Sequence, residues 1–314
     1  MKRHHFFRHI SSIAIVFILA VTVFLKLDMT QVSELTELPS LEQPLTGQLL
    51  PEDNAESTLE IHFIVVGQGD ATLFMCDGAY MLLDTGDNTK GTLVQNYLQK
   101  RGIENLKYLV LTHPDADHIG AAPVIITKFD IENIFMSAFE KSNKTYERLL
   151  ESISYRNYEW STPEVGSTYT LGGALITIIA PNTVYTDPNN ASIALKVTHG
   201  ENTFLFTGDA EEEAENDMLI NGIDLSATVY QVGHHGSKTS SSDAFLDAVH
   251  PEFAVISCAE GNSYGHPHAA TLNKLRSMGV KVYRTDEQGS IVAVSDETNL
   301  TWSAAPSDSW KSGE

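Results

Sequence analysis

Basic residues are scarce in this chain. Twenty lysines and arginines stand against 41 aspartates and glutamates, a formal net charge of −21 at pH 7 over 314 residues. Non-specific nucleic-acid binding rests on Lys and Arg neutralising phosphates, so this balance argues against broad electrostatic attachment to DNA or RNA. It leaves room for a nuclease whose metal ions make the phosphate contact. Cysteine is scarce too. Cys76 and Cys258 are the two present, with neither zinc-finger nor redox spacing. Both follow apolar runs, and they read as buried free thiols or, outside the cytoplasm, as one disulfide. No Ser-His-Asp or Cys-His motif offers a covalent nucleophile. The absence of an internal repeat or an extended low-complexity tract favours one domain.

What is present begins with a membrane-seeking segment. Lys2, Arg3 and Arg8 precede the apolar stretch Ile10 to Leu25, a basic region followed by a hydrophobic one. No Ala-x-Ala cleavage site follows, so residues 1–27 read as an uncleaved signal anchor, with removal as a signal peptide the alternative. The basic flank stays in the cytoplasm, which puts the remainder outside. Residues 28–58 are polar and acidic with Pro39, Pro44 and Pro51, a flexible tether. Residues 59–303 carry the strand and helix patterns of a globular domain, and residues 304–314 form a polar tail.

The chemistry gathers in Leu109-Val110-Leu111-Thr112-His113-Pro114-Asp115-Ala116-Asp117-His118. A buried-strand run ends in a turn that carries two imidazoles and two carboxylates. Zinc and manganese accept such a nitrogen and oxygen mixture, whereas calcium wants more oxygens. Other apolar runs also end in a ligand or proton carrier: Asp84 in Leu82-Leu83-Asp84-Thr85-Gly86, Asp209 in Thr207-Gly208-Asp209, His234 and His235 in Gly233-His234-His235-Gly236-Ser237, and His266 and His268 in Gly265-His266-Pro267-His268. A histidine pair between glycines can point an imidazole at an incoming phosphate or leaving group.

These blocks, in this order, resemble the metallo-β-lactamase superfamily, and within it the extracytoplasmic domain of ComEC-type DNA-uptake proteins. The resemblance runs from about Leu59 to about Trp302. It implies an α/β fold, the αββα sandwich of two mixed sheets flanked by helices, here preceded by one N-terminal membrane segment. It also implies two divalent metal ions, zinc or manganese. One would take His113, Asp115 and a bridging Asp209. The other would take Asp117, His118, His266 and Asp209. Asp84 would orient ligands, and the Gln68-Gly69-Asp70 turn would line the floor of the site. Many relatives have a histidine ligand near Asn190. This chain has none there, and Asn190 and Ser192 match the ComEC branch, as contacts to substrate or water or as a plain turn.

The implied activity is hydrolysis of a phosphodiester by water activated between two cations, with Asp117, His234 and His235 as catalytic residues. One of the two histidines protonates the leaving oxygen and the other supports it. Ser237 and Lys238 are candidate phosphate contacts, and His268 lies near the substrate. Glu211, Glu212 and Glu213 read as residues of a helix N-terminus, where negative charge is favoured. The substrate is DNA or a small phosphodiester. A small ester, such as a phosphocholine-type ester or a lactone, is the alternative, as is a degenerate binding module. The partners expected are the membrane, through the N-terminal segment, and the substrate. No obligate protein partner follows from the sequence.

Overall fold

Two half-sandwiches are built by the same device: an antiparallel meander followed by parallel crossover strands. The computed structural model of the chain describes residues 57–314. The expected signal anchor and nearly all of the tether therefore lie outside the described residues. Among those described, no helix is long and apolar enough to cross a membrane.

The first sheet contains β1 (Leu59–Phe63), β2 (Thr72–Cys76), β3 (Ala79–Leu83), β4 (Asn105–Leu111), β5 (Asp130–Met136), β6 (Trp160–Ser161), β14 (Ile291–Ser295) and β15 (Leu300–Trp302), in the order β15-β14-β1-β2-β3-β4-β5-β6. The second contains β7 (Thr168–Leu171), β8 (Ala174–Ala180), β9 (Ala194–His199), β10 (Asn202–Phe206), β11 (Val229–Gln231), β12 (Phe253–Ile256) and β13 (Lys281–Arg284), in the order β13-β12-β11-β10-β9-β8-β7. Both sheets are mixed. β3 to β6 run parallel, as do β10 to β13, and the other neighbours are antiparallel. Asp77-Gly78 turns β2 into β3 with positive φ at both residues (49° and 79°), as a two-residue hairpin requires.

The strands at the centre are buried on both faces, so they read as continuous apolar runs. In β4, Tyr108 and Val110 face the other sheet while Leu109 and Leu111 face helices. In β10, Phe204 and Phe206 point between the sheets and Leu205 points outward. The outer face of the first sheet is covered by α1 (Gly91–Gln99), α3 (Ala122–Lys128) and α4 (Lys144–Tyr155). Between α1 and α3 lies the single turn α2 (Ala116–Ile119). The second sheet is covered by α5 (Glu212–Ile220), α6 (Asp243–Val249) and α7 (Ala269–Ser277), and α8 (Thr285–Gln288) follows β13. This is the αββα sandwich. Cys76 and Cys258 are buried free thiols.

Residues 303–314 form no helix or strand, but they are held along the second half of the molecule. Trp310 packs on its outer core, Arg284 donates to the Lys311 carbonyl at 2.6 Å, and the Gly313 amide donates to the Pro267 carbonyl at 3.0 Å. Of the aromatics after α4, Tyr158 packs on the first sheet's outer core, while Tyr155 is exposed.

The core between the sheets is aromatic at its centre. Phe74 meets the Phe206 ring edge-on at 5.0 Å, and Phe63 stacks on Phe206 at 6.2 Å. Truncating Phe74, which is fully buried, leaves a cavity that neither sheet can close. Phe74→Ala is expected to cost about 3–5 kcal/mol, read as a lowered urea midpoint with an unchanged slope.

Candidate metal centre

The carboxyl ends of β3 and β4 in one sheet, and of β10, β11 and β12 in the other, open onto one edge of the sandwich, where ligand-bearing loops gather in open α/β sheets. Asp84 follows β3. Thr112 to His118 follow β4, with Asp117 and His118 carried on α2. Asp209 follows β10, His234 and His235 follow β11, and Ser257 to His266 follow β12. The β1–β2 connection adds Asp70.

Side chains far apart in sequence meet there. Donor atoms of Asp70, His118, Asp209 and His235, all buried, lie within 4.8 Å of one another. His118 Nε2 is 3.2 Å from Asp209 Oδ1, and His235 Nε2 is 3.6 Å from Asp209 Oδ2. His113 Nε2 and His234 Nε2 are each 3.7 Å from Asp209 Oδ2. Asp117 Oδ2 approaches His235 Nε2 at 3.3 Å. These approaches are not aligned as hydrogen bonds. Asp70 Oδ1, His113 Nε2, His118 Nε2, Asp209 Oδ1 and His235 Nε2 are buried polar atoms without a hydrogen-bond partner. Orphaned atoms of this kind are rare in folded proteins, and here five converge on one point. Nitrogen and carboxylate donors with free lone pairs facing inward fit a divalent zinc or manganese ion.

The outer nitrogens explain why the lone pairs face inward. His118 Nδ1 lies 2.9 Å from Asp84 Oδ2, and His235 Nδ1 lies 2.9 Å from the Ser257 carbonyl. Both partners only accept, so the Nδ1 nitrogens carry hydrogen. Thr112 Oγ1 donates to Asp84 Oδ2 at 2.8 Å, which leaves it to accept from His113 Nδ1 at 3.1 Å. Ser192 Oγ accepts the Asp209 amide at 3.1 Å and lies 3.3 Å from His113 Nδ1. Each of these three rings is thereby set with Nε2 toward Asp209, as metal-ligating histidines are set by an outer partner. His268 is set the other way. Its Nδ1 accepts the Lys238 amide at 2.9 Å, so the ring hydrogen of its neutral form sits on Nε2. His266 Nδ1 lies 3.3 Å from the Gln68 side-chain nitrogen, a donor.

Charge tells the same story. Four carboxylates, Asp70, Asp84, Asp117 and Asp209, surround the histidines, and among the described residues no Lys or Arg pairs with any of them. Burial would push the Asp209 carboxyl up, but the His118 and His235 charges hold it well below its usual range. Burial disfavours charge on His118 and His235 as well. The carboxylates outweigh it, and both imidazoles hold their protons well above the usual histidine range. A divalent cation answers the same negative charge and displaces those protons. His113 is driven down to about 3, first by burial and then by the His118 charge. His266 also falls to about 3, by burial and by the neighbouring histidines. Both are neutral imidazoles at pH 7, the form that binds metal.

Backbone strain marks the same place. Asp84, His234 and His235 occupy the left-handed region at φ 57°, 50° and 55°. Such residues cost about 1–3 kcal/mol each and persist where their surroundings dictate them. Gly69 (φ 129°) passes so close to Asp117 that an added Cβ would lie 2.3 Å from the Asp117 carbonyl oxygen.

Not every expected residue joins the cluster. Asp115, assigned to the first cation, is ion-paired with Lys141. Asn190 Oδ1 accepts the Glu211 amide at 2.9 Å and its amide nitrogen donates to Glu213 at 3.0 Å, so its side chain braces the start of α5. His266, assigned to the second cation, packs beside the histidine pair, its ring centroid 5.4 Å from that of His234 and 6.0 Å from that of His235. His235, expected to carry a proton, has its Nε2 inside the cluster. Ser237 is buried and bonded to Thr239 at 2.9 Å, and Lys238 is exposed. Asp70, which the sequence places only in the Gln68-Gly69-Asp70 turn on the floor of the site, joins the cluster as a donor.

The Asp84 carboxylate grips both the Thr112 hydroxyl and the His118 ring. Asp84→Asn keeps the shape, and Asn tolerates a left-handed backbone. We expect a ~10–100-fold loss of zinc or manganese affinity with the fold retained, measured by metal content after equilibrium dialysis.

A family model described as "Metallo-beta-lactamase superfamily" matches residues 64–260. "ComE operon protein 3" of Bacillus subtilis is 29% identical over 260 residues, covering 74% of this chain and 32% of that protein. "Competence protein ComA" of Neisseria gonorrhoeae is 32% identical over 244 residues, covering 77% and 33%. The chain thus spans about a third of the length of these curated relatives. Among solved structures, the metallo-beta-lactamase fold protein YhfI from Bacillus subtilis superposes with a TM-score of 0.52 at 12% identity, covering 76% of this chain and all (100%) of that one, a likeness of fold. With the sandwich, the buried Asp and His cluster and these matches together, the chain belongs to the metallo-beta-lactamase superfamily of metal-dependent hydrolases and is similar to the competence proteins within it.

Proposed function

We propose that this chain is a ComEC-like metal-dependent phosphodiesterase, carried outside the cytoplasm on its N-terminal membrane segment, that hydrolyses DNA or a smaller phosphodiester. The observation behind the reading is the meeting of five buried, unbonded donor atoms, Asp209 Oδ1 among them, with no cysteine or lysine in the set. His113, Asp117, His118, Asp209 and His235, with Asp70, would hold two divalent ions, zinc or manganese. Such ions supply a Lewis acid that makes water a nucleophile near neutral pH and offsets charge on the phosphoryl oxygens.

The chain's own residues do the rest. Asp84, Thr112, Ser192 and the Ser257 carbonyl fix the ring orientations. Leaving alkoxide needs a proton, and His235 is poorly suited to give one, since Ser257 holds its Nδ1 and its Nε2 faces Asp209. His268 Nδ1 accepts the Lys238 amide, which leaves an Nε2–H to donate a hydrogen bond to that oxygen, and water supplies the proton itself. Lys238, exposed and unpaired among the described residues, is the phosphate contact.

A second reading changes only the substrate. The net charge of −21 disfavours a long polyanion and favours a small or uncharged ester. The test is an assay of the full chain with manganese or zinc against single-stranded DNA, bis-p-nitrophenyl phosphate, p-nitrophenyl phosphocholine and nitrocefin. We expect turnover of the diester and of DNA. Asp117→Ala should lose more than the ~100-fold that an outer partner of a metal ligand costs. Cleavage of the small diester without DNA selects the second reading. Turnover of none, with metal bound, removes the enzyme.

A further inference from the structure

We propose that His234 is a metal ligand, oriented by Glu211 and Thr239, and that it supplies the donor this chain lacks near Asn190. The proposal rests on the metal centre described above but not on any particular substrate.

The cation position on the His113 side is short of donors. Asp115 is paired with Lys141, Asn190 braces the start of α5, and Ser192 is taken up by the Asp209 amide and His113. What remains is His113 Nε2 and Asp209 Oδ2, and His234 Nε2 stands at the same 3.7 Å from Asp209 Oδ2 as His113 Nε2 does.

The outer side of His234 repeats the arrangement around His113. There, Thr112 Oγ1 donates to the Asp84 carboxylate at 2.8 Å and accepts from His113 Nδ1 at 3.1 Å. Here, Thr239 Oγ1 donates to Glu211 Oε1 at 2.8 Å and lies 3.3 Å from His234 Nδ1, with the same carboxylate oxygen 3.2 Å from that nitrogen. A hydroxyl already donating to a carboxylate can only accept from the ring. The hydrogen of His234 therefore belongs on Nδ1, and its Nε2 lone pair faces Asp209. Four histidines from two loops thus present Nε2 to one carboxylate, each held from behind. His234 takes a left-handed backbone (φ 50°, ψ 45°) to do so, and its amide is tied to the Gly208 carbonyl at 3.1 Å. Glu211 is then a positioning residue and not merely a charge at the start of a helix.

The test is manganese and zinc binding to the full chain, by equilibrium dialysis and metal analysis. Wild type is expected to hold two ions per chain. His234→Gln should drop to one, and Glu211→Gln should keep the tighter ion and weaken the other ~10–100-fold. Because a variant could misfold, the wild-type imidazole 15N spectrum is followed during zinc titration as well. The His234 Nε2 resonance should move to the coordinated range with the second equivalent. One ion in wild type, two ions of unchanged affinity in His234→Gln, or a His234 resonance that zinc leaves in place would each overturn the proposal. His234→Gln that keeps both ions but loses hydrolysis would make His234 a proton donor and overturn it too. A wild type that binds two ions and hydrolyses none of the four substrates would sink the phosphodiesterase reading while leaving this one standing.

Discussion

Everything at the active edge follows from one electrostatic demand. Asp70, Asp84 and Asp209 are buried, Asp117 is half-buried, and among the described residues none is paired with a lysine or arginine. Taking a carboxylate out of water costs several kcal/mol unless a counter-charge is close. Protonated His118 and His235 meet part of that demand, and a divalent cation meets more of it at a single point. His113 and His118 hang from the first sheet, and Asp209 and His235 from the second. A bound ion is therefore a cross-link between the two halves of the sandwich. It stabilises the fold in proportion to the logarithm of its concentration over its dissociation constant.

The strain at the site is the other side of that demand. Bringing Nε2 atoms from separate loops to one carboxylate requires backbone turns tighter than ordinary residues prefer. Asp84, His234 and His235 accept a left-handed backbone, and Gly69 lets the β1–β2 connection run against Asp117. None of this could persist unless packed strands fixed the loop ends. β4 and β10 to β12 do so, because they are buried on both faces and cannot shift register without exposing a row of apolar side chains.

The layers of the fold were legible in the sequence because burial writes itself as apolar runs. The buried-strand run before His113 is such a case, and it ends β4 at Leu111. The meeting place of the motifs was legible because each ligand-bearing block follows a strand. The individual ligands were less so. Asp115 sits in the metal motif, but its partner, Lys141, lies 26 positions on in an irregular stretch that no pattern marks. Asp70 reads as a turn residue until the turn is seen beneath His235. Glu211 reads as one of three glutamates at a helix start, and only the fold turns it toward His234 and leaves Glu213 on Asn190.

What a histidine does here is decided by the atom behind it, and a sequence does not contain that atom. His118 faces a carboxylate from β3, His235 a backbone carbonyl after β12, and His113 a hydroxyl already committed to Asp84. All three turn Nε2 inward. His268 faces a backbone amide and keeps its hydrogen on the opposite nitrogen. The same residue type is sorted into metal donor and hydrogen-bond donor by whether its neighbour accepts or donates. An acidic chain is also compatible with the phosphodiester substrate proposed for it. The charge of −21 acts at long range, where salt screens it beyond ~8 Å. The attraction that would hold a phosphoryl group acts at contact, and it comes from cations that the excess carboxylates themselves gather.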